Sequence, residues 1–201
     1  HSHINHLEAL IDSALAKGVK NIRIHAILDG RDTDQKSAEQ ELPKLENFLK
    51  TRPAAKIATI QGRYYAMDRN EKWDRTELAY NLISSKKTEL WYQDAMSALA
   101  GAYGRKETDE FISPSAIIDK NNSDYTIKEN DIGLFFNFRA DRARQLTASL
   151  SVEKFSGFSR KQSPFFKNFV TMTSYADYFE NPVIFPNSEI KNTLGEVISN
   201  H

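Results

Sequence analysis

Three short apolar segments in this chain each end in a loop that carries arginine, and helix-like segments separate them. The first, Asn21 to Leu28, reads as a buried strand whose last residues, His25-Ala26-Ile27-Leu28, run into Asp29-Gly30-Arg31-Asp32-Thr33. The second, Lys56 to Ile60, runs into Gly62-Arg63-Tyr64-Tyr65-Ala66-Met67-Asp68-Arg69. The third, Gly133 to Phe138, runs into Arg139-Ala140-Asp141-Arg142-Ala143-Arg144. Strands that alternate with helices imply an α/β fold, a mostly parallel sheet flanked by helices on both faces. Such sheets bind ligands beyond the carboxyl ends of their strands. The three loops would therefore bring Arg31, Arg63, Arg69, Arg139 and Arg142 to one edge and build a cationic cleft. Guanidinium groups suit phosphate and carboxylate oxygens, so the expected ligand is small and multiply anionic.

The rest of the chain fills in this alternation. Ile4, Leu7, Leu10, Ile11, Ala14 and Leu15 have helical spacing, with Gly18 as the stop. Lys36 to Lys50 reads as a helix that Pro43 should kink or divide. Leu78 to Ile83 and Asp94 to Ala102 mark further helices. The polar stretch Gly104 to Asp131 reads as loops with a short helix or strand. A helix from about Asp141 to Ser151, a strand at Asn168 to Thr173 and an extended Val183-Ile184-Phe185 follow.

Charge and composition narrow the function. Lysine plus arginine and aspartate plus glutamate both number 27, which argues against bulk nucleic-acid or membrane-surface binding. Any anion site must be local. No cysteine is present, so there is no disulfide framework and no thiolate chemistry; this fits a cytoplasmic protein. No apolar run approaches a membrane span, and no signal-peptide pattern is visible. Walker, GxSxG and zinc patterns are absent.

Each candidate has a plain structural alternative. Asp29-Gly30 makes a turn, and Asp32 or Asp34 either caps the next helix or, for Asp32, accepts a hydrogen bond or proton from a substrate hydroxyl. Arg69 either binds an anion or pairs with Asp68 or Asp74 on the surface. Three arginines in six residues, Arg139 to Arg144, would repel one another without an anion, and Asp141 is placed to cap the helix there. His25 reads as a core histidine, and His3 and His6 as helix-surface residues.

In their order along the chain, the opening His1-Ser2-His3, HAILDGRDT, GRYYAMDR followed by WDR, FFNFRADRAR and the late NTLGE resemble the blocks of the cofactor-independent (2,3-bisphosphoglycerate-independent) phosphoglycerate mutases. The resemblance covers the whole chain. It implies a two-domain enzyme that interconverts 3-phosphoglycerate and 2-phosphoglycerate. In it an alkaline-phosphatase-like domain holds two manganese or magnesium ions and a transiently phosphorylated serine, and a substrate-binding (phosphotransferase) domain is inserted. Residues 1–186 would be that inserted domain, truncated at its start. Residues 187–201 would be the hinge, near Pro186, and the start of the metal domain.

By the same resemblance His1, Arg31, Asp32, Arg63, Arg69, Arg139 and Arg142 match phosphoglycerate-contacting positions, and Asp32 the residue that exchanges a proton with the glycerate hydroxyls. The serine, the metal ligands and a later substrate lysine have no counterpart here, so the chain alone is expected to be inactive and to need the metal domain in cis. The alternative is a free-standing phosphometabolite-binding or regulatory module.

Overall fold

The structure is a computed structural model of the 201-residue chain, and it describes residues 2–118, 126–160, 165–186 and 194–199. Helix α1 (Ile4–Ala16) starts at His3, whose ring accepts the Asn5 N–H while the His6 ring accepts the His3 N–H. It stops at Lys17, and Gly18 follows with φ +86°, a left-handed position that glycine takes without steric cost. Strand β1 (Ile22–Leu28) pairs in parallel with β2 (Ala55–Gly62), ending in the register Leu28 to Gly62. The two loops beyond these strands therefore start side by side.

Helix α2 (Ala38–Leu49) joins β1 to β2 and runs through Pro43 without dividing. Its first amide is capped from far away: the buried Asp109 carboxylate accepts the Ala38 N–H at 2.9 Å. A four-residue helix, α3 (Arg63–Ala66), follows β2, and then α4 (Trp73–Ser85). A short β3 (Trp91–Tyr92), α5 (Ala95–Gly104) and a 3₁₀ turn (Asp109–Phe111) lead to β4 (Ser115–Ile117). The first sheet has the order β1-β2-β4-β3, with β4 antiparallel to β2 and parallel to β3.

Strand β5 (Ile132–Phe135) does not join this sheet. It pairs in parallel with β6 (Asn168–Thr171), on the far side of α6 (Arg144–Ser151) in sequence. Val183 adds a parallel bridge to Thr171. A six-residue helix, α7 (Leu194–Ser199), ends the described chain.

Helices cover both faces of the first sheet. On one face α2 and α5 pack Leu42, Ala98 and Leu99 against Leu28, Ile60 and Ile117, and Ile11 of α1 joins Ile24 and Leu45. On the other face Tyr80 and Ile83 of α4 meet Leu146 and Leu150 of α6, together with Phe135 and Phe169 of the second sheet. Helix α4 is thus shared by the two sheets. The parallel strands and flanking helices agree with the expected α/β class, although the strands divide between two sheets. Among the described residues no helix is long and apolar enough to cross a membrane.

Candidate anion-binding cleft

The loop after β1 is drawn tight by Asp29, whose Oδ1 accepts the N–H groups of Arg31 and Asp32 at 3.2 and 3.1 Å. Gly30 has φ +63°, and a Cβ there would lie 2.6 Å from the Glu110 amide nitrogen. Beside it, a Cβ on Gly62 would lie 2.2 Å from the Glu110 carbonyl oxygen. The Asp109–Phe111 turn is pressed onto both strand ends and forms the back of the site.

Arg63 leaves the end of β2 at the first position of α3. Its Nη1 donates to Asp29 Oδ1 at 2.6 Å and to Asp32 Oδ2 at 2.8 Å. Burial works against this cation, but the bonds to Asp32 and Asp29 outweigh it and raise its pKa. Asp32 therefore does not cap α2. Its other carboxylate oxygen has no hydrogen-bond partner among the described residues and faces solvent with the rest of an exposed side chain. Arg31 is exposed and donates to Glu110 at 3.3 Å.

Arg69 pairs with neither Asp68 nor Asp74. It reaches Asp141 at 2.6 Å, and Arg139 binds the same carboxylate through Nε at 2.7 Å. Burial alone would raise the Asp141 pKa, but the bonds from Arg69 and Arg139 hold it below the ordinary carboxylate range. Asp141 therefore clamps two arginines instead of capping α6, which begins at Arg144 with no side-chain cap. Arg144 is structural: its Nε donates to the Tyr175 carbonyl at 2.7 Å.

Arg142 is half-buried and donates one bond, to the Met67 carbonyl at 3.2 Å. Burial first, and then the charges of Arg63, Arg69 and Arg31, hold its pKa below the usual guanidinium value. The structure thus brings Arg31, Arg63, Arg69 and Arg142 around one cleft of about 180 Å³. Arg139 stands at its margin, joined to it through Asp141.

His1 lies outside the described residues. The next residue, Ser2, donates to the Phe136 carbonyl at 3.2 Å and accepts the Phe138 N–H at 3.1 Å, so the start of the chain is fastened to the Arg139 loop. His25 bonds Thr59 Oγ1 at 2.9 Å between β1 and β2, as a core histidine would.

Three residues of the cleft, Asn70, Arg75 and Glu110, escape the sequence reading. Glu110, which holds Arg31, sits in a polar stretch with no periodicity to mark it. Arg75 also lines the cleft, and only its place in the short Trp73-Asp74-Arg75 block hints at it.

Fold and site together define an α/β domain with a cleft that collects guanidinium groups and suits a small polyanion. Residues 1–177 match the family model described as BPG-independent PGAM N-terminus, and the chain belongs to that family. It is 46% identical over 200 residues to the 2,3-bisphosphoglycerate-independent phosphoglycerate mutase of Shewanella oneidensis, covering 100% of this chain and 39% of that protein. It is 48% identical to mutase 1 of Methanosarcina acetivorans, covering 99% of this chain and 39% of that one. Among solved structures, the Leishmania mexicana phosphoglycerate mutase superposes with a TM-score of 0.87 at 26% identity, over 100% of this chain and 38% of that chain. The chain thus spans about 39% of the length of the curated relatives it matches.

Proposed function

We propose that the cleft binds phosphoglycerate and positions it for phosphoryl transfer between the two glycerate oxygens, as part of a 2,3-bisphosphoglycerate-independent phosphoglycerate mutase. The observation that carries this reading is Arg142, half-buried among three other arginines and with no carboxylate at ion-pairing distance among the described residues. A phosphate and a carboxylate on one small molecule would supply the missing negative charge. Arg31, Arg63, Arg69, Arg139 and Arg142 are its contacts in this reading, with His1 beside them. Asp32 presents its unbonded oxygen to a glycerate hydroxyl, takes its proton and returns it, while Arg63 holds the carboxylate in place.

Residues 1–186 then form the substrate domain and 187–201 lead to a second domain in cis. Two manganese or magnesium ions and the nucleophile belong to that second domain, and the setting is cytoplasmic. Among the described residues no group of three or more His, Cys, Asp and Glu could hold a metal. A cleft lined with guanidinium groups repels divalent cations, so no step is assigned to a metal on this chain.

Titration of the chain with 3-phosphoglycerate tests the binding, and an assay of 3- to 2-phosphoglycerate conversion tests the division of labour. Binding without turnover, with or without manganese, is the expected result. No binding would defeat the reading, and turnover by the purified chain would defeat the split. In a full-length mutase carrying this chain, Asp32→Asn keeps the shape and the bond from Arg63 but loses the proton acceptor. It should lower turnover by about 10²–10⁴-fold and change the Michaelis constant little. Near-normal turnover would remove Asp32 from proton transfer.

A further inference from the structure

Among the described residues, the cleft holds a guanidinium that is firmly placed and yet donates no hydrogen bond. Arg75 lies in the first turn of α4, where a cation opposes the helix dipole. Its side chain is only 29% exposed, yet it donates no hydrogen bond among the described residues. The nearest carboxylate oxygen, Asp68 Oδ1, stands 3.7 Å away, beyond hydrogen-bonding reach.

Asp68 is itself committed elsewhere. Its Oδ2 accepts the N–H groups of Asn70 and Lys72 at 3.0 and 2.9 Å and the Gln145 amide at 3.0 Å. It orders the turn that enters α4, and its Oδ1 leaves Arg75 a loose ion pair at 3.7 Å without a hydrogen bond. The guanidinium is fixed instead by stacking, 3.9 Å over the Tyr64 ring, and Tyr64 packs in turn on Phe111. Stacking restricts the plane of the group and leaves its N–H edge free. The other cleft arginines differ: Arg63 holds two carboxylates, Arg69 holds Asp141, and Arg31 reaches Glu110.

We propose that Arg75 is a further ligand-contacting residue of the cleft, presenting its free guanidinium edge to the anionic oxygens of phosphoglycerate from the platform of Tyr64. This rests on the reading of the cleft as a phosphoglycerate site. It accounts for a cation at a helix start, partly desolvated and without a hydrogen-bonded anion among the described residues.

The test is calorimetric or NMR titration of the chain with 3-phosphoglycerate at low salt, comparing the unmodified protein with Arg75→Gln, Arg75→Lys and Arg142→Ala. Arg75→Gln abolishes the charge-assisted bond to the ligand and should weaken binding by roughly 10–100-fold. Arg75→Lys keeps the charge without the planar fork and should recover part of that affinity. The melting midpoint of both variants should change little, because Arg75 makes no hydrogen bond within the protein and loses only its stack on Tyr64 and its 3.7 Å attraction to Asp68, while removing a cation from a helix start offsets part of that loss. Unchanged affinity in Arg75→Gln, with binding weakened in Arg142→Ala, overturns the role of Arg75 and leaves the cleft reading standing. Equal weakening in Gln and Lys together with a lowered midpoint assigns Arg75 to packing and also overturns it. No binding by the unmodified chain overturns both readings.

Discussion

On the β1–β2 side of the cleft, Arg63 is 8% exposed and bonds two carboxylates within 2.8 Å. On the β5 side, Arg142 has one bond, to a carbonyl, and feels three neighbouring cations. The backbone follows the same division. Gly30 and Gly62 are locked against the backbone of Glu110. The β5 loop is held by side chains, with Tyr175 Oη and Thr173 Oγ1 donating to carbonyls at residues 135 and 138. Matched charges on rigid loops fix a geometry. Unmatched charge on the facing loop gives capacity for a ligand, at the expense of stability when the cleft is empty.

The largest effect expected from this contrast is at the glycines. Gly62→Ala puts a methyl 2.2 Å from a carbonyl oxygen and 2.5 Å from its carbon, both backbone. The β2 end and the Asp109–Phe111 turn must separate, and a loss of about 3 kcal/mol or more is expected, at the upper end of overpacking costs. Gly133→Ala in β5 meets ring atoms of Phe169 at 2.4 Å and of Phe166 at 2.9 Å. Side chains can turn where backbone cannot, so about 1–2 kcal/mol is expected there. Denaturant melts of the two variants compare the halves directly, and equal losses would break the contrast.

The second contrast separates stability from binding. Arg142→Ala removes a cation that is desolvated among like charges, so the melting midpoint should hold or rise. Phosphoglycerate binding should fall by roughly 10–100-fold. Arg63→Ala should weaken binding and also lower stability by about 1–2 kcal/mol, because Asp29 and Asp32 lose their shared partner. A fall in the midpoint for Arg142→Ala would show that its charge is balanced within the protein after all.

Much of this arrangement is legible in the sequence, and the failures have physical causes. Apolar strands followed by helices announce themselves because a parallel sheet buries its strands on both faces. The limits of β1, α5 and β6 follow closely. The two residues of β3, the three of β4 and the four of α3 are too short to show a period. Long-range partners are hidden for another reason. Asp109 caps α2 across 71 residues, and Arg69 finds Asp141 across 72. Proximity in sequence points Arg69 at its neighbour Asp68, but three N–H donors already occupy one oxygen of that carboxylate. The arginine motifs imply convergence from one sheet edge. Arg142 does converge with Arg31, Arg63 and Arg69, but from a separate two-stranded sheet, and Arg139 arrives only at the margin.

The smallest expected effect probes the rigid half by acid. His25 sits in β1 and bonds Thr59 of β2 at 2.9 Å. Burial, and then the charge of Arg23, lowers its pKa from 6.5 to about 4. The unfolded chain therefore takes up a proton near pH 6.5, whereas the folded chain resists it until about pH 4. Stability from this group is complete above pH 6.5, falls as pH drops to about 4, and levels off below. The full shift corresponds to about 3 kcal/mol, and because the ring retains some accessible surface, about 1–2 kcal/mol is the expected change. Asp29 and Asp141, whose pKa values are lowered, act in the same direction but only as pH falls below the ordinary carboxylate range near 3.8. Glu107 and Glu129, lowered from 4.5, and Glu46, raised from it, also titrate toward the acid end of the His25 range, so the His25 contribution is isolated by comparison with a variant. His25→Gln, which cannot take the proton, should flatten the pH dependence of the denaturation midpoint between pH 6.5 and 4 relative to the unmodified chain. If the two slopes are the same, the β1–β2 interface is open enough to hydrate a charged imidazole, and the picture of this half as the rigid one fails.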